Sequence, residues 1–307
     1  MTEKLYYADS HLQKFSAKVI SCTKSEKGYE AVLDRTAFFP EGGGQTGDTG
    51  WLNDVEVTDT REKAGVIYHE TKEPLEVGVQ AAGKIDFAVR FDKMQQHTGE
   101  HILSGIVCAA YGYNNVGFHL SKEITTLDFD GELSAEQVRE LEVKVNQAIH
   151  ANIPVQVKFP SKEELADMEY RSKIEIEGQV RIVEIPGVDI CACCAPHVKF
   201  TGEIGIIEVV SFERYKGGTR VSILCGERAL RDIRHKLNEN RRISVLTKAK
   251  QSDTAAAVER LLEENERLKY EINGLNRRFL ESEAEKIEPT DKIIIFDSRL
   301  KDKLLSD

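Results

Sequence analysis

The chain has 307 residues, 40% of them hydrophobic and 31% charged, with 42 Lys and Arg against 52 Asp and Glu for a net charge of −10. This is the profile of a soluble globular protein of about two domains, and its acidity argues against a general nucleic-acid coat while leaving room for a local basic surface. No uncharged apolar stretch approaches the roughly 18 residues of a membrane span, and Met1-Thr-Glu-Lys lacks a basic segment leading into an apolar one.

Residues 1–90 read as β. Short, partly alternating segments at 30–34, 55–58, 66–69 and 83–90, divided by Gly, Pro, Asn and Asp, predict a small barrel or sandwich. From 91 to 226 the pattern becomes α+β. Asp92 with Gln95 resembles a capping box, and Ile102, Leu103, Ile106, Val107 and Ala110 follow at helical spacing up to Gly112. Ser134 with Gln137 opens a second helix that carries Val138, Leu141, Val145 and Ile149 on one face, and Ser161 with Glu164 opens a short third. Strands return at 180–185, and 204–214 pairs with 219–225 through Gly217-Gly218, a two-residue hairpin signal. Beyond 226 the chain is charged and free of proline up to Lys286. There Val258, Leu261, Asn265, Leu268, Ile272, Leu275 and Phe279 step by threes and fours, the seam of a coiled coil or long helical hairpin. Residues 292–296 read as a strand that begins a further domain. The expected fold class is α+β: a small β-barrel-like domain at 1–90, an α+β metal-binding domain with an antiparallel sheet at 91–226, and a long-helix segment with the start of another domain at 227–307.

Three of the six cysteines, Cys191, Cys193 and Cys194, fall within four positions, which favours a metal or reactive site in a reducing, hence cytoplasmic, compartment over a disulfide framework. His97 and His101 lie one turn apart on one helix face and can converge on one ion. The segment 191–197 adds thiols and His197, and two His with one Cys and one His make the tetrahedral set that zinc prefers. Glu100, one residue before His101, reads either as a general base or as a solvated carboxylate. Gly42-Gly43-Gly44-Gln45 reads either as backbone that closely approaches a phosphate or the 3′ end of a nucleic acid, or as a tight turn between strands.

His-x3-His on a helix followed some 90 residues later by Cys-x3-His resembles the editing domain of alanyl-tRNA synthetase and its free-standing relatives, the alanyl-tRNA editing proteins. The stretch from Thr36 to Gly50 is similar to the family's Gly-rich element, Thr201-Gly-Glu-Ile-Gly205 to the segment after its Cys-x3-His, and the helical region to the long form. The resemblance covers residues 1–226 in order, and the charging domain is absent. It implies Zn2+ held by His97, His101, Cys193 and His197, although this chain has Cys-Cys-Ala-Pro-His where Cys-Gly-Gly-Thr-His is commoner. It further implies hydrolysis of the ester that joins serine or glycine to alanine-specific tRNA. Glu100, Thr36 and Gln45 are then the catalytic candidates, with Thr36 presenting a hydroxyl to the substrate side chain, and Gly42, Gly43 and Gly44 bind substrate.

Two other readings compete. His97-x-x-Glu100-His101 fits the inverted zinc-protease motif, and a non-catalytic zinc-stabilised module would only bind tRNA, its coiled segment recruiting a synthetase or a second copy as a homodimer. Between 226 and 250 eight basic residues face three acidic ones. Arg234, Arg241 and Lys248 recur every seven residues, a stripe suited to a phosphate backbone.

Overall fold

The computed structural model describes residues 2–172 and 179–286; the strand expected at 292–296 lies outside them. The chain divides into two compact units, Met1–Asp232 and Ile233–Asp307. Among the described residues no helix is long and apolar enough to cross a membrane.

The first unit starts with β1 (Glu3–Lys4) and a single turn, α1 (Leu5–Ala8). There follow β2 (Lys14–Ser25), β3 (Gly28–Leu33), β4 (Arg35–Thr36), β5 (Gly50–Leu52), β6 (Val55–Lys63), β7 (Val66–Thr71) and β8 (Gln80–Ile85). Strands β2, β3, β7, β6, β5 and β8 close in that order into an antiparallel barrel, and β1 pairs with β4 outside it. Strict alternation drives closure: along β8 every second residue is buried, and Ala17, Val19, Ala31, Leu33, Leu52, Val57, Ala81 and Ile85 fill the interior.

A polar pair sits in that interior. His69 donates from Nδ1 to the Ala31 carbonyl at 3.1 Å, so its Nε2 accepts the Thr36 hydroxyl proton at 2.8 Å. Burial lowers the His69 pKa to about 4, against the Ala31 hydrogen bond. An unfolded-chain imidazole titrates near 6.5, so the unfolded state takes the proton first. This contribution is whole above about pH 6.5 and is lost as pH falls towards 4, up to about 3 kcal/mol. Urea midpoints measured across that interval should fall with pH, and His69→Gln should flatten that part of the profile.

Helix α2 (Phe87–Tyr111) follows the barrel directly. Its cap is Asp86, whose carboxylate accepts from the Val89 N–H, so 86–90 is a helix start and not the end of the expected strand. The Asp92–Gln95 box is likewise not the start: at that depth the N–H groups already have partners one turn back. Asp92 instead binds Arg228, and the Gln95 amide donates to the Glu203 carbonyl. Gly112, left-handed at φ 71°, ends the helix.

Strands β9 (Asn115–Leu120) and β10 (Thr125–Phe129) come next, then α3 (Ala135–His150), which starts with the expected Ser134–Gln137 capping box. After β11 (Gln156–Lys158) comes α4 (Lys162–Ala166), with the Ser161–Glu164 box. Strands β12 (Ile182–Ile185) and β13 (Asp189–Ala192) extend β11 into a three-stranded antiparallel sheet. Then β14 (Ile207–Tyr215) and β15 (Gly218–Cys225) join β10 and β9 in a four-stranded antiparallel sheet. The hairpin turn is Lys216-Gly217, one residue earlier than expected. Both residues have positive φ, 47° and 84°, while Gly218 already pairs with Tyr215.

The second core lies between this sheet, α2 and α3: Ile102, Leu103 and Val107 meet Val138, Leu141, Val145, Leu127, Val221 and Ile223. Helix α2 is also tied to the end of β15, because the Gln96 amide exchanges two hydrogen bonds with the Cys225 backbone, both at 2.9 Å.

Helix α5 (Glu227–Thr247) begins in the first unit. The second unit holds the rest of α5 and α6 (Thr254–Ala284), and its turn is fastened by the Asn240 side chain to the Gln251 carbonyl and the Thr254 hydroxyl. The apolar seam of α6, including Val258, Leu268 and Phe279, is exposed.

Candidate functional site

His97 and His101 project from α2, and Cys193 and His197 from the segment after β13. Their ligand atoms all lie within 4.8 Å of one another. The Cys193 sulfur is 3.4 Å from His197 Nε2 and 3.6 Å from His97 Nε2. The Arg181 guanidinium braces this segment by donating to the Cys193 and Ala195 carbonyls at 2.7 and 3.0 Å.

Each imidazole is turned by a partner on Nδ1: the Gln45 side-chain oxygen for His97 at 3.0 Å, the Asp189 carboxylate for His101 at 2.9 Å, and the Thr98 hydroxyl for His197 at 3.1 Å. A carboxylate only accepts, so His101 carries a proton on Nδ1 and turns Nε2 towards the cluster. Asp189 is itself held by Arg171, at 2.7 and 2.9 Å. Burial opposes ionisation of Cys193, yet the His97 and His197 imidazoles hold its thiol well below the ordinary value. Burial likewise opposes charge on His101, but Cys191, Glu100 and Asp189 raise it well above 6.5. Burial and the neighbouring His101 push His197 down to about 3. One acidic thiol and three oriented imidazoles at these separations could hold a tetrahedral metal ion.

Cys191 and Cys194 sit elsewhere. Cys191 groups with His101 and Asp189, whose shared contact is already spent on orienting the imidazole. Cys194 is exposed as a residue, its sulfur tucked beside Gly42 and Gly43. Crowding there, followed by the Cys193 sulfur, pushes its thiol up to about 11.

The Gly-rich segment is a tight turn that also serves the site. Gly42 and Gln45 exchange two backbone hydrogen bonds of 3.0 Å across Gly43 and Gly44, at φ 59° and 79°. A Cβ on Gly44 would lie 2.6 Å from the Phe118 ring, which packs on His97 at 4.8 Å between centroids. Gln45 is buried, and its amide nitrogen has no hydrogen-bond partner among the described residues.

Glu100 is buried and not a solvated carboxylate: one oxygen accepts from Ser104 at 2.9 Å and Asn115 at 2.6 Å, and the other lies 3.7 Å from His101 Nε2. Thr36 belongs to the barrel network with His69. Arg234 and Arg241 are on α5, but Lys248 lies beyond its end at φ 53°, so the helical stripe stops at two residues. Sequence reading missed Asp189, Thr98, Asn115 and Arg171. Asp189 had a usable signal, since strand alternation puts 189, 191 and 193 on one face.

Family models match in two places: "tRNA synthetases class II (A)" over residues 2–89, and "Threonyl and Alanyl tRNA synthetase second additional domain" over residues 180–222, which includes Cys193 and His197. Among individual relatives, the alanyl-tRNA editing protein AlaX-L of Pyrococcus horikoshii is 36% identical over 249 residues, 78% of this chain and 61% of that protein. Alanyl-tRNA editing protein Aarsd1 of Rattus norvegicus is 30% identical over 286 residues, 87% of this chain and 69% of that protein. The alanine–tRNA ligase of Pyrococcus furiosus is 31% identical over 93% of this chain and 33% of its own length. The chain thus spans between three fifths and about two thirds of these editing proteins. On this likeness, carried across the barrel, α2 and the Cys-x3-His segment, the chain belongs to the alanyl-tRNA editing protein family.

Proposed function

We propose that the chain is a zinc-dependent deacylase that frees alanine-specific tRNA of wrongly attached serine or glycine. The observation that carries this reading is the convergence of His97, His101, Cys193 and His197 beside the buried, unpartnered amide of Gln45. Four protein ligands close the shell, so zinc held there would supply Lewis-acid polarisation and orientation of the ester or its amine only when one ligand yields its position. Gln45, fixed through His97, donates its amide N–H to the ester carbonyl oxygen, where negative charge develops. Glu100, held by Ser104 and Asn115, takes a proton from the attacking water and returns it to the departing ribose oxygen. The turn at Gly42, Gly43 and Gly44 lets the terminal ribose approach the backbone closely. Thr36 discriminates serine from glycine. Its proton is committed to His69 and its oxygen already accepts from the Phe38 N–H, which leaves one lone pair to accept from a serine hydroxyl.

Arg234 and Arg241 on α5, with Lys248 just past its end, grip the tRNA phosphates, in the cytoplasm where charged tRNA resides. The α6 seam has β-branched Val258 and Ile272 with Asn265 in one register and Leu261, Leu268 and Leu275 in the other, the pattern of a parallel two-stranded pair, so we take the working form to be a homodimer.

Single-turnover deacylation with seryl-, glycyl- and alanyl-tRNA tests the reading. Seryl- and glycyl-tRNA should be cleaved and alanyl-tRNA spared, and Thr36→Val should slow seryl more than glycyl release. Esters that persist at the spontaneous rate would leave only a tRNA-binding module.

A further inference from the structure

On the far side of the Gly-rich turn from the metal-binding cluster lies a cavity of about 780 Å³. Residues 45–47 run from one to the other, with Thr46 and Gly47 lining the cavity. On one side Gln45 bonds His97. On the other, the Thr46 and Gly47 carbonyls accept from the Lys93 ammonium at 3.2 and 2.6 Å. The volume is that of a small-molecule site, and its apolar walls come from Ala88, Val89 and Leu120. Val89 is 39% exposed, so its side chain can be reached from solvent.

The charges around this cavity are unbalanced. Its two acidic groups are spoken for, Asp92 by Arg228 and Asp59 by Arg61. Lys93, 7% exposed, has only carbonyl partners among the described residues and no carboxylate in ion-pair contact. Lys122, at the rim, is exposed and has no ion-pair partner among the described residues. A buried cation bonded only to carbonyls, a second cation at the mouth and an apolar wall between them complement a phosphate joined to a flat apolar ring.

We propose that this cavity is a nucleotide subsite for a single-stranded RNA end, with a base against Val89 and Leu120 and its phosphodiester on Lys93 and Lys122. The inference rests on the deacylase reading and deepens it: an RNA whose terminal ester reaches His97 and Gln45 lays a preceding nucleotide across residues 45–47. The subsite holds the strand end in place while the ester is attacked.

The test uses the full zinc-loaded chain and a 5′-fluorescent RNA tetranucleotide ending in 3′-CCA, uncharged, with affinity read by anisotropy across a salt series. Val89→Trp, which fills the cavity from an exposed position, should weaken binding at least about tenfold. Lys122→Gln should weaken it and flatten the logarithmic salt slope by about 0.7, the share of one phosphate on a single strand. Lys93→Met should act in the same direction, and zinc content should stay at the parent value in the two surface variants. Parent affinity and salt slope in both Val89→Trp and Lys122→Gln would overturn the subsite. Because no turnover is read, the two ideas fail separately. Tetranucleotide binding that depends on Val89 in a protein inert towards seryl-tRNA supports the subsite and sinks the deacylase reading. Seryl-tRNA hydrolysis with affinity indifferent to both variants does the reverse.

Discussion

His101→Ala and Cys193→Ala are each expected to take zinc from one ion per chain to near none, and to slow seryl-tRNA hydrolysis by more than about 100-fold. The four donor atoms lie within 4.8 Å, so each is a quarter of the set, and deleting either ligand leaves a three-donor site that water must complete. Asp189→Asn should be milder, about 10- to 100-fold in affinity, since it removes no ligand but disturbs the tautomer and tilt of His101 and the ion pair with Arg171. Cys194→Ala, Cys22→Ala and Cys225→Ala should all keep the ion. Elemental analysis of dialysed protein by mass spectrometry checks this. Loss of metal from Cys194→Ala would reverse the assignment of the thiol, and full retention in both ligand variants would sink the site itself.

A second large effect is expected where α2 meets the barrel. Arg90 and Asp48 are both about 1% exposed and pair between α2 and the loop before β5, with Arg90 Nε 2.8 Å from the carboxylate. Arg90 also donates to the Ser10 and Ala37 carbonyls, and Asp48 accepts from the Phe39 N–H at 2.6 Å. Arg90→Met leaves a buried carboxylate without its cation and should cost about 3–5 kcal/mol of stability. Replacing the pair together, Arg90→Met with Asp48→Leu, should recover part of that loss, because the burial penalty then disappears from both sides. Urea unfolding of the two variants is the measurement. A loss below about 1 kcal/mol in the single variant would mean that the pair behaves like a solvated surface bridge.

Local chemistry in the sequence located the elements whose signals are local. The Ser134 and Ser161 capping boxes are present as read, because a hydroxyl and a carboxylate or amide three residues apart need nothing else to form them. The start of α2 was misplaced because Asp92 and Gln95 have the same spacing but spend their side chains on Arg228 and Glu203, more than 100 residues away. The hairpin slipped by one residue for a related reason: Gly218 is glycine because the Phe129 carbonyl would lie 1.9 Å from a Cβ, a packing demand that imitates a turn signal. At the site, the four-donor spacing was legible, since i and i+4 on a helix and a short Cys-x3-His segment fix their own geometry. The groups that hold His101 and Glu100 were not, because Asp189 and Asn115 reach α2, and Arg171 reaches Asp189, only through tertiary folding.

Helix α2 carries glycine at 99 and 105, on either side of His101. A Cβ at Gly99 would fall 2.4 Å from the Cys225 sulfur, and one at Gly105 would fall 2.3 Å from the Val188 carbonyl. Each glycine costs the helix about 1 kcal/mol of propensity relative to alanine. In exchange the helix backbone touches its neighbours at two points that bracket the imidazole, which removes both sliding along the axis and rolling about it. The placement of His101 is therefore referenced to close contacts of the α2 backbone with the Cys225 sulfur and the Val188 carbonyl, and less to the sizes of the apolar side chains around it. Drift among Ile102, Leu103 and Val107 can change how well the core is filled while the spacing of the four donors stays put, so stability and site geometry are free to vary independently along this one helix.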